Sequence, residues 1–567
     1  MSKLHRFARS ARVARRQALV TAAILLFGAG DPVARAAPAD DRGSPVPEAN
    51  ARDTVSTVGA VRVGIERYIR DAMASWGVPG LAIAVVEDDR IVYARGFGVR
   101  NVETREPVNE ETIFPIGSVT KSMTATAVAM LVDDGKMDWD APIKGYLPNF
   151  EVYDQYVTSV ISMRDIACHR TGIEQANYLH WGPVDPANLV YHPSRDDIVR
   201  AFKYLRSSEP FRVKFAYKNE PWVVAGAAVA AASGTTWDQF LHNRLFKPLG
   251  MDRTSTSVRE TTSLTNVSSI HVIADGRLRP IDPINVDVAS AMGSVNSSVL
   301  DLAQYVRFHL GNGTFNNVQL LSAAQMHELH EPQMIDPNER LTTGTPFAQQ
   351  ASYSLGWWVQ DYRGLKLIHH AGEPPGGSAN VFFLPEKHFG VVVLANGDAM
   401  SLLAAIALRA IDAYLRVPVY DWNARALALE PERLDKDRSP SYLALMADRA
   451  KSRVPNTKPS VEIDKYAGIY HNNAYGGLRV TEAGGKLTAK LWTHTGALTH
   501  WNYDVFKLDW DPTHYFLHVF PERDNLVRFE IDEHGRPSTV SFSSLGTFVR
   551  IEGANVGNGA PATLPSH

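Results

Sequence analysis

A serine and a lysine stand three positions apart in Gly117-Ser-Val-Thr-Lys121. On one helix such a pair shares a face, and the two side chains can meet. A serine hydroxyl becomes a useful nucleophile only when a base takes its proton. A lysine can be that base if burial lowers its pKa. A helix start also offers backbone N–H groups to a developing oxyanion. The spacing alone is common, and on that basis a helix cap with a solvated lysine is the simpler reading of Ser118 and Lys121.

Two further groups follow in order. Tyr217-Lys218-Asn219 offers a phenol that, as a phenolate beside a cation, could serve as base and later as acid. Asn219 adds an amide able to bind a substrate amide. Tyr470-His471-Asn472 has the same pattern and reads as structural. His370-Ala371-Gly372 follows the predicted strand Leu365–His369. His370 could relay protons near the tyrosine, although a strand-end histidine is more often a surface residue. Gly372 would let a substrate backbone approach a sheet edge. Glu373 comes next, either attracting a substrate ammonium or standing solvated in a loop.

These residues need elements to hold them. Apolar spacing through Ile65, Tyr68, Ile69, Ala72 and Met73 predicts a helix, with order beginning near Val58. Gly80–Val86 and Arg90–Arg95 flank the polar turn Glu87-Asp-Asp89 and predict a hairpin. A helix is expected from about Ser118 to Asp134, closed by Gly135. Ser298-Val-Leu-Asp301 reads as a capping box before Leu302-Ala-Gln-Tyr-Val-Arg-Phe. Late strands are expected at Tyr353–Val359, Leu365–His369, Asn380–Leu384 and Gly390–Ala395, then a helix from Leu402 to Leu415. Strands at both ends with helices between predict an α+β domain, one antiparallel sheet covered by helices. Short strands at Val505–Leu508, Tyr515–Phe520, Leu526–Ile531, Thr539–Phe542 and Thr547–Ile551 predict a small all-β barrel.

With 567 residues the chain exceeds one core, so several units are expected. The reading is a signal peptide at 1–37, a disordered leader at 38–57 and a catalytic domain at 58–420. A linker at 421–459, the barrel at 460–553 and a tail at 554–567 complete it. The first segment has six basic residues before an apolar run, Ala18–Phe27, and a small-x-small pattern at Ala34-Arg-Ala36. That layout predicts a secreted or periplasmic protein with no integral membrane domain after signal removal; an uncleaved anchor is the alternative. A net charge of −3 argues against nucleic acid as a partner. The single cysteine, Cys168, excludes an intrachain disulfide and reads as a buried structural thiol.

Taken together, the ordered groups resemble the serine β-lactamase/penicillin-binding-protein superfamily, especially its class C-like branch of esterases and D-aminopeptidases. Val78-Pro-Gly-Leu-Ala-Ile-Ala-Val-Val, Phe114-Pro-Ile-Gly-Ser-Val-Thr-Lys, Asp140-Ala-Pro-Ile, His169-Arg-Thr-Gly172 and Gly293-Ser-Val-Asn-Ser-Ser are similar to family segments, over about residues 58–418. The resemblance implies that Ser118 is acylated, that Lys121 and Tyr217 share proton transfer, and that Asn219 holds substrate. The Ser118 N–H and one from the strand after Gly372 would form the oxyanion hole. It implies no metal and no organic cofactor. His370 stands where the family often has lysine, which removes a fixed positive charge and favours esters, amides or D-amino-acid peptides over β-lactams. The C-terminal strands resemble the lipocalin-like barrels appended to some of these hydrolases.

Other motifs fail. The glycine-rich stretch from Gly477 to Leu487 lacks phosphate-loop spacing, and no G-x-S-x-G elbow is present. His327 and His330 lie one helical turn apart, without a third ligand, and read as exposed. Two function classes remain: an acyl-transfer hydrolase on a small-molecule or peptide substrate, and a sensing or cell-wall-binding protein that retains the fold without turnover.

Overall fold

The computed structural model describes residues 51–552, except 177–193, 275–276, 282, 284, 338–346, 375, 430–446, 492–493, 511–525 and 543–544. The expected signal peptide, most of the leader, the 554–567 tail and the strand Tyr515–Phe520 lie outside the described residues.

Helix α1 (Ala51–Trp76) buries Ile65, Ile69, Ala72, Met73 and Trp76, the stripe its spacing predicts. Strands β1 (Gly80–Glu87) and β2 (Arg90–Gly98) form the expected hairpin. The rest of the sheet comes late: β3 (Met334–Ile335), β4 (Ala351–Tyr353), β5 (Trp358–Tyr362), β6 (Leu365–Gly372), β7 (Ser378–Leu384) and β8 (Phe389–Ala395). The eight strands run in the spatial order β2-β1-β8-β7-β6-β5-β4-β3, all neighbours antiparallel. Leu81 pairs with Ala395, so the sheet is built from both ends of the domain, as expected.

The central strands are apolar on both faces because helices cover both. Ala82, Ala84, Val381, Val392 and Leu394 join the core that contains α2 (Thr120–Asp133) and α5 (Val299–Leu310). Leu81, Ile83, Phe382, Val391 and Val393 join the core containing α1 and α6 (Met400–Tyr414). Helix α2 is buried nearly all round, as a central helix must be. Its hydroxyls stay satisfied internally; Ser122 donates to Val119 O and Thr126 to Ser122 O.

Local readings differ in three places. Tyr353–Val359 is not one strand: the chain reverses through Ser354–Trp357, where Ser354 N donates to Trp357 O and Gly356 has φ +80°. Ser298 does cap α5 through Asp301 N. The carboxylate of Asp301 turns elsewhere, to Arg253 N and Thr254 Oγ1, so the reciprocal half of the box is absent. The stretch from 421, expected as linker, begins with α7 (Trp422–Leu429), whose Trp422 is buried with Nε1 on Asp412.

Eight further strands, from Gly468–Asn472 to Gly546–Arg550, close into an antiparallel barrel. Alternating residues fill it: Tyr470, Leu478, Val480, Phe506, Leu508, Phe529, Val540 and Phe548 are all buried. Tyr470 donates to Tyr466 O, the structural role expected for that second tyrosine motif. No described helix is long and apolar enough to cross a membrane.

Candidate active site

The chain enters α2 through a 3-10 turn, Gly117–Val119, with Gly117 at φ +50°. That turn sets Ser118 one helical step below Lys121, and Lys121 Nζ lies 2.9 Å from Ser118 Oγ. The end of β6 locks against the same turn. A Cβ on Gly372 would fall 2.0 Å from Ile116 O, and one on Gly117 would fall 2.8 Å from Pro374 N. Gly372 is thus required by the protein's own backbone, where substrate approach had been the expected reason. The nitrogens of Ser118 and Glu373 both border this contact, which is where paired oxyanion donors are needed.

Lys121 is wholly buried and donates to Met292 O at 2.9 Å. Desolvation lowers its pKa to about 7, with the charge of Glu220 pulling the other way. Near neutral pH much of it is therefore free amine, with a lone pair for the Ser118 proton.

Tyr217 lies with its ring 5.1 Å from Lys121 Nζ, and the Ser118 side chain acts on its phenol. Burial pushes its phenol well up, and the nearby Glu373 carboxylate adds to the rise. Burial thus favours the phenol form of the resting side chain. Its ring stacks on His169 (4.1 Å between centroids) and on Trp358 (5.6 Å, 5° between planes). His169 also accepts from Lys218 N at 3.0 Å through Nδ1 and from Ala216 N through its carbonyl. Below it, the buried Asp165 carboxylate pairs with Arg170 at 2.6 Å and Arg212 at 2.8 Å, tying the Tyr217 loop to α3 (Met163–Ala167). His169 and Trp358 were not read as site residues. The segment His169-Arg-Thr-Gly172 was the available signal, but stacking partners leave none of their own.

Asn219 Oδ1 is a buried atom with no hydrogen-bond partner among the described residues. His370 is buried, against the surface expectation. Its Nε2 accepts from Tyr353 Oη at 2.8 Å, and Nδ1–H donates to Ala371 O at 2.6 Å. Burial and the charge of Lys121 hold it neutral. With both nitrogens engaged, His370 braces the wall of the site and is not a direct proton relay to Tyr217. Glu373 is exposed at the rim.

Cys168 is buried and its thiol is pushed up to about 12 by desolvation, as a structural thiol should be. His327 is exposed, but His330 is buried and shares a 3.0 Å hydrogen bond with His309, correcting the exposed reading. Among the described residues no group of three or more His, Cys, Asp or Glu side chains could hold a metal. The loop 177–193, expected to shape the pocket, lies outside the described residues.

A family profile described as Beta-lactamase matches residues 65–415, and one described as a domain of unknown function, DUF3471, matches residues 452–552. The chain is 27% identical to an unguisins hydrolase of Aspergillus campestris over 72% of its own length and 75% of that protein's. It is 25% identical to penicillin-binding protein 4 of Amycolatopsis lactamdurans, over 56% of this chain and 81% of that one. Its fold is similar to an octameric penicillin-binding protein homologue from Pyrococcus abyssi, with a TM-score of 0.55 and 22% identity over 86% of this chain and 99% of that one. It is also similar in fold to SurE, at a TM-score of 0.52 and 22% identity over 87% of this chain and 100% of that one. A match across most of the ordered sheet-and-helix domain shows that the chain belongs to the Beta-lactamase family of serine hydrolases.

Proposed function

We propose that the chain is an exported serine acyl hydrolase that works through an acyl-enzyme on Ser118. The observation that carries this is the 2.9 Å contact from Lys121 Nζ to Ser118 Oγ, made by a lysine whose pKa burial has lowered to about 7. Lys121 takes the hydroxyl proton as Ser118 attacks a carbonyl carbon. The N–H groups of Ser118 and Glu373 stabilise the oxyanion, and the Tyr217 phenol passes a proton to the leaving group. Tyr217 is then reprotonated from Lys121. Water, activated through the same pair, releases the acyl group and restores Ser118.

Small esters and amides, including D-amino-acid amides, are the preferred substrates, ahead of β-lactams. A neutral His370 leaves no fixed cation at that position for a β-lactam carboxylate. The likeness to an unguisins hydrolase and to a penicillin-binding protein supports acyl cleavage without deciding among these classes.

The test is hydrolysis of p-nitrophenyl acetate and butyrate, nitrocefin and D-alanine p-nitroanilide by the mature protein and by Ser118→Ala. Turnover lost in the variant is expected. Turnover that survives removes Ser118 as nucleophile, and no turnover of any substrate brings the binding-protein reading forward.

A further inference from the structure

Ser290 is a buried serine with φ +34° and ψ −113°, a backbone region natural to glycine and strained for a residue with a Cβ. The strain sits just before a run of backbone groups that grip the catalytic helix. Ala291 O accepts from Thr124 Oγ1 at 2.8 Å, and Met292 O accepts from Lys121 Nζ at 2.9 Å. Val295 N donates to Thr120 Oγ1 at 3.2 Å. The carbonyl of Ser290 is itself pinned by the N–H groups of Gly293 and Ser294 and by the Ser294 hydroxyl, each at 3.1 Å.

The opposite side of this turn is closed by helix α4 (Pro221–Ser233), which carries Gly226. A Cβ on Gly226 would fall 2.8 Å from Ala291 Cβ, closer than side chains approach. The turn reaches α2 only because α4 has no side chain at that point.

A neutral lysine amine has two N–H bonds and one lone pair. Donating one N–H to Met292 O restricts the directions left to the lone pair, and Ser118 Oγ lies in reach. We propose that Gly226 is a positioning residue for Lys121. The strained turn, admitted by the missing side chain, holds the Met292 carbonyl where it aims the amine lone pair at the Ser118 hydroxyl. This rests on the reading of Lys121 as base. The other groups that act on Lys121 or face it are Glu220 on the N-cap of α4, the Tyr217 ring, and the neutral His169 and His370. Residues 290–295 carry no titratable side chain, so a changed pH profile reports the carbonyl.

The experiment compares Gly226→Ala, the double variant Gly226→Ala/Ala291→Gly, and Ser290→Gly, with p-nitrophenyl acetate as substrate. Gly226→Ala is expected to lower kcat at least tenfold with KM within twofold. Its acid limb should move to lower pH, because losing a carbonyl acceptor disfavours the ammonium. The double variant removes the clashing methyl and should restore both. Ser290→Gly adopts the turn without strain and should keep kcat within twofold. A folded Gly226→Ala with unchanged kcat, a loss of kcat with an unmoved limb, or failure of the double variant to rescue overturns the proposal. So does loss of activity in Ser290→Gly, which relieves strain and keeps the test open if Gly226→Ala does not fold. Turnover surviving in Ser118→Ala would instead remove the hydrolase reading itself, so the two failures are distinct.

Discussion

Tyr353 Oη lies 2.8 Å from His370 Nε2, and because Nδ1 must donate to Ala371 O, the neutral histidine is the Nδ1–H tautomer whose Nε2 takes the Tyr353 proton. Tyr353→Phe strips the buried Nε2 of its donor. The expected cost is about 1–3 kcal/mol in urea denaturation. The pH–rate profile of the parent protein should carry no histidine limb, because burial keeps His370 neutral across the working range. A second ionisation between pH 5 and 6.5 that vanishes in His370→Gln would contradict this.

The pH dependence should instead belong to Lys121. Its pKa is lowered to about 7, and only the free amine accepts a proton, so kcat/KM for a small ester rises as pH increases through about 7 and levels off above. The slope below the midpoint is about tenfold per pH unit. Rates measured from pH 5 to 9 check it, and a midpoint above 9 would show a lysine still solvated.

The same lysine weakens the fold. Its folded pKa lies below the 10.5 of a solvated lysine, so between the two values the unfolded chain binds a proton that the folded chain lacks. Stability therefore rises with pH from about 7 toward 10.5. Lys121→Met removes the charge but keeps the volume. It should gain about 2 kcal/mol at pH 7, flatten that pH dependence and lose about a thousandfold or more in kcat. Equal stability of variant and parent in denaturant titrations at pH 7 would show that the burial is not costly.

Gly372→Ala forces a methyl toward Ile116 O, 2.0 Å from its ideal position. Ile116 cannot retreat freely, since its N–H is held by Val295 O at 3.0 Å. The expected result is about 2–3 kcal/mol of destabilisation. Activity should fall about a hundredfold, as the nucleophile moves by a fraction of an ångström to an ångström. Retained kcat in the alanine variant would show that the β6 end and the Ser118 turn are not coupled.

Asp165→Asn leaves Arg170 and Arg212 without their shared carboxylate. Asp165 is buried while the arginines reach solvent, so the expected cost is about 1–3 kcal/mol. The loop carrying Tyr217 loses its anchor as well, so kcat should drop at temperatures where the variant is still folded. Circular dichroism melting and assays at 15 °C separate the two effects.

Much of this was legible in the chain. Gly117 and Gly135 bracket the catalytic helix, and the apolar runs of β1, β7 and β8 announce strands covered on both faces. What escaped depends on partners remote in sequence. Trp422 opens a stretch whose charges and prolines read as a linker with some helical character; its hydrogen bond to Asp412 and its burial arise from packing against α6. His330 passed for a surface residue because His309 lies on another helix. The reversal at Ser354–Trp357 is signalled by Gly356, yet the flanking aromatics read just as well as one continuous strand. The orientation of His370 depends on Tyr353, which pairs with it only after β4 and β6 have been brought together by β5.

The pairing of Leu81 with Ala395 also has a kinetic side. The first hairpin has no lasting partner until a strand roughly 300 residues later arrives, a contact order that favours slow assembly. Until then β1 offers an unpaired, largely apolar edge. A ribosome-bound chain cannot complete this sheet, so the end of β6 meets the Ser118 turn in one of the last folding events. Active protein should appear with a lag after synthesis, and truncation anywhere before residue 395 should yield aggregate in place of a partly active enzyme.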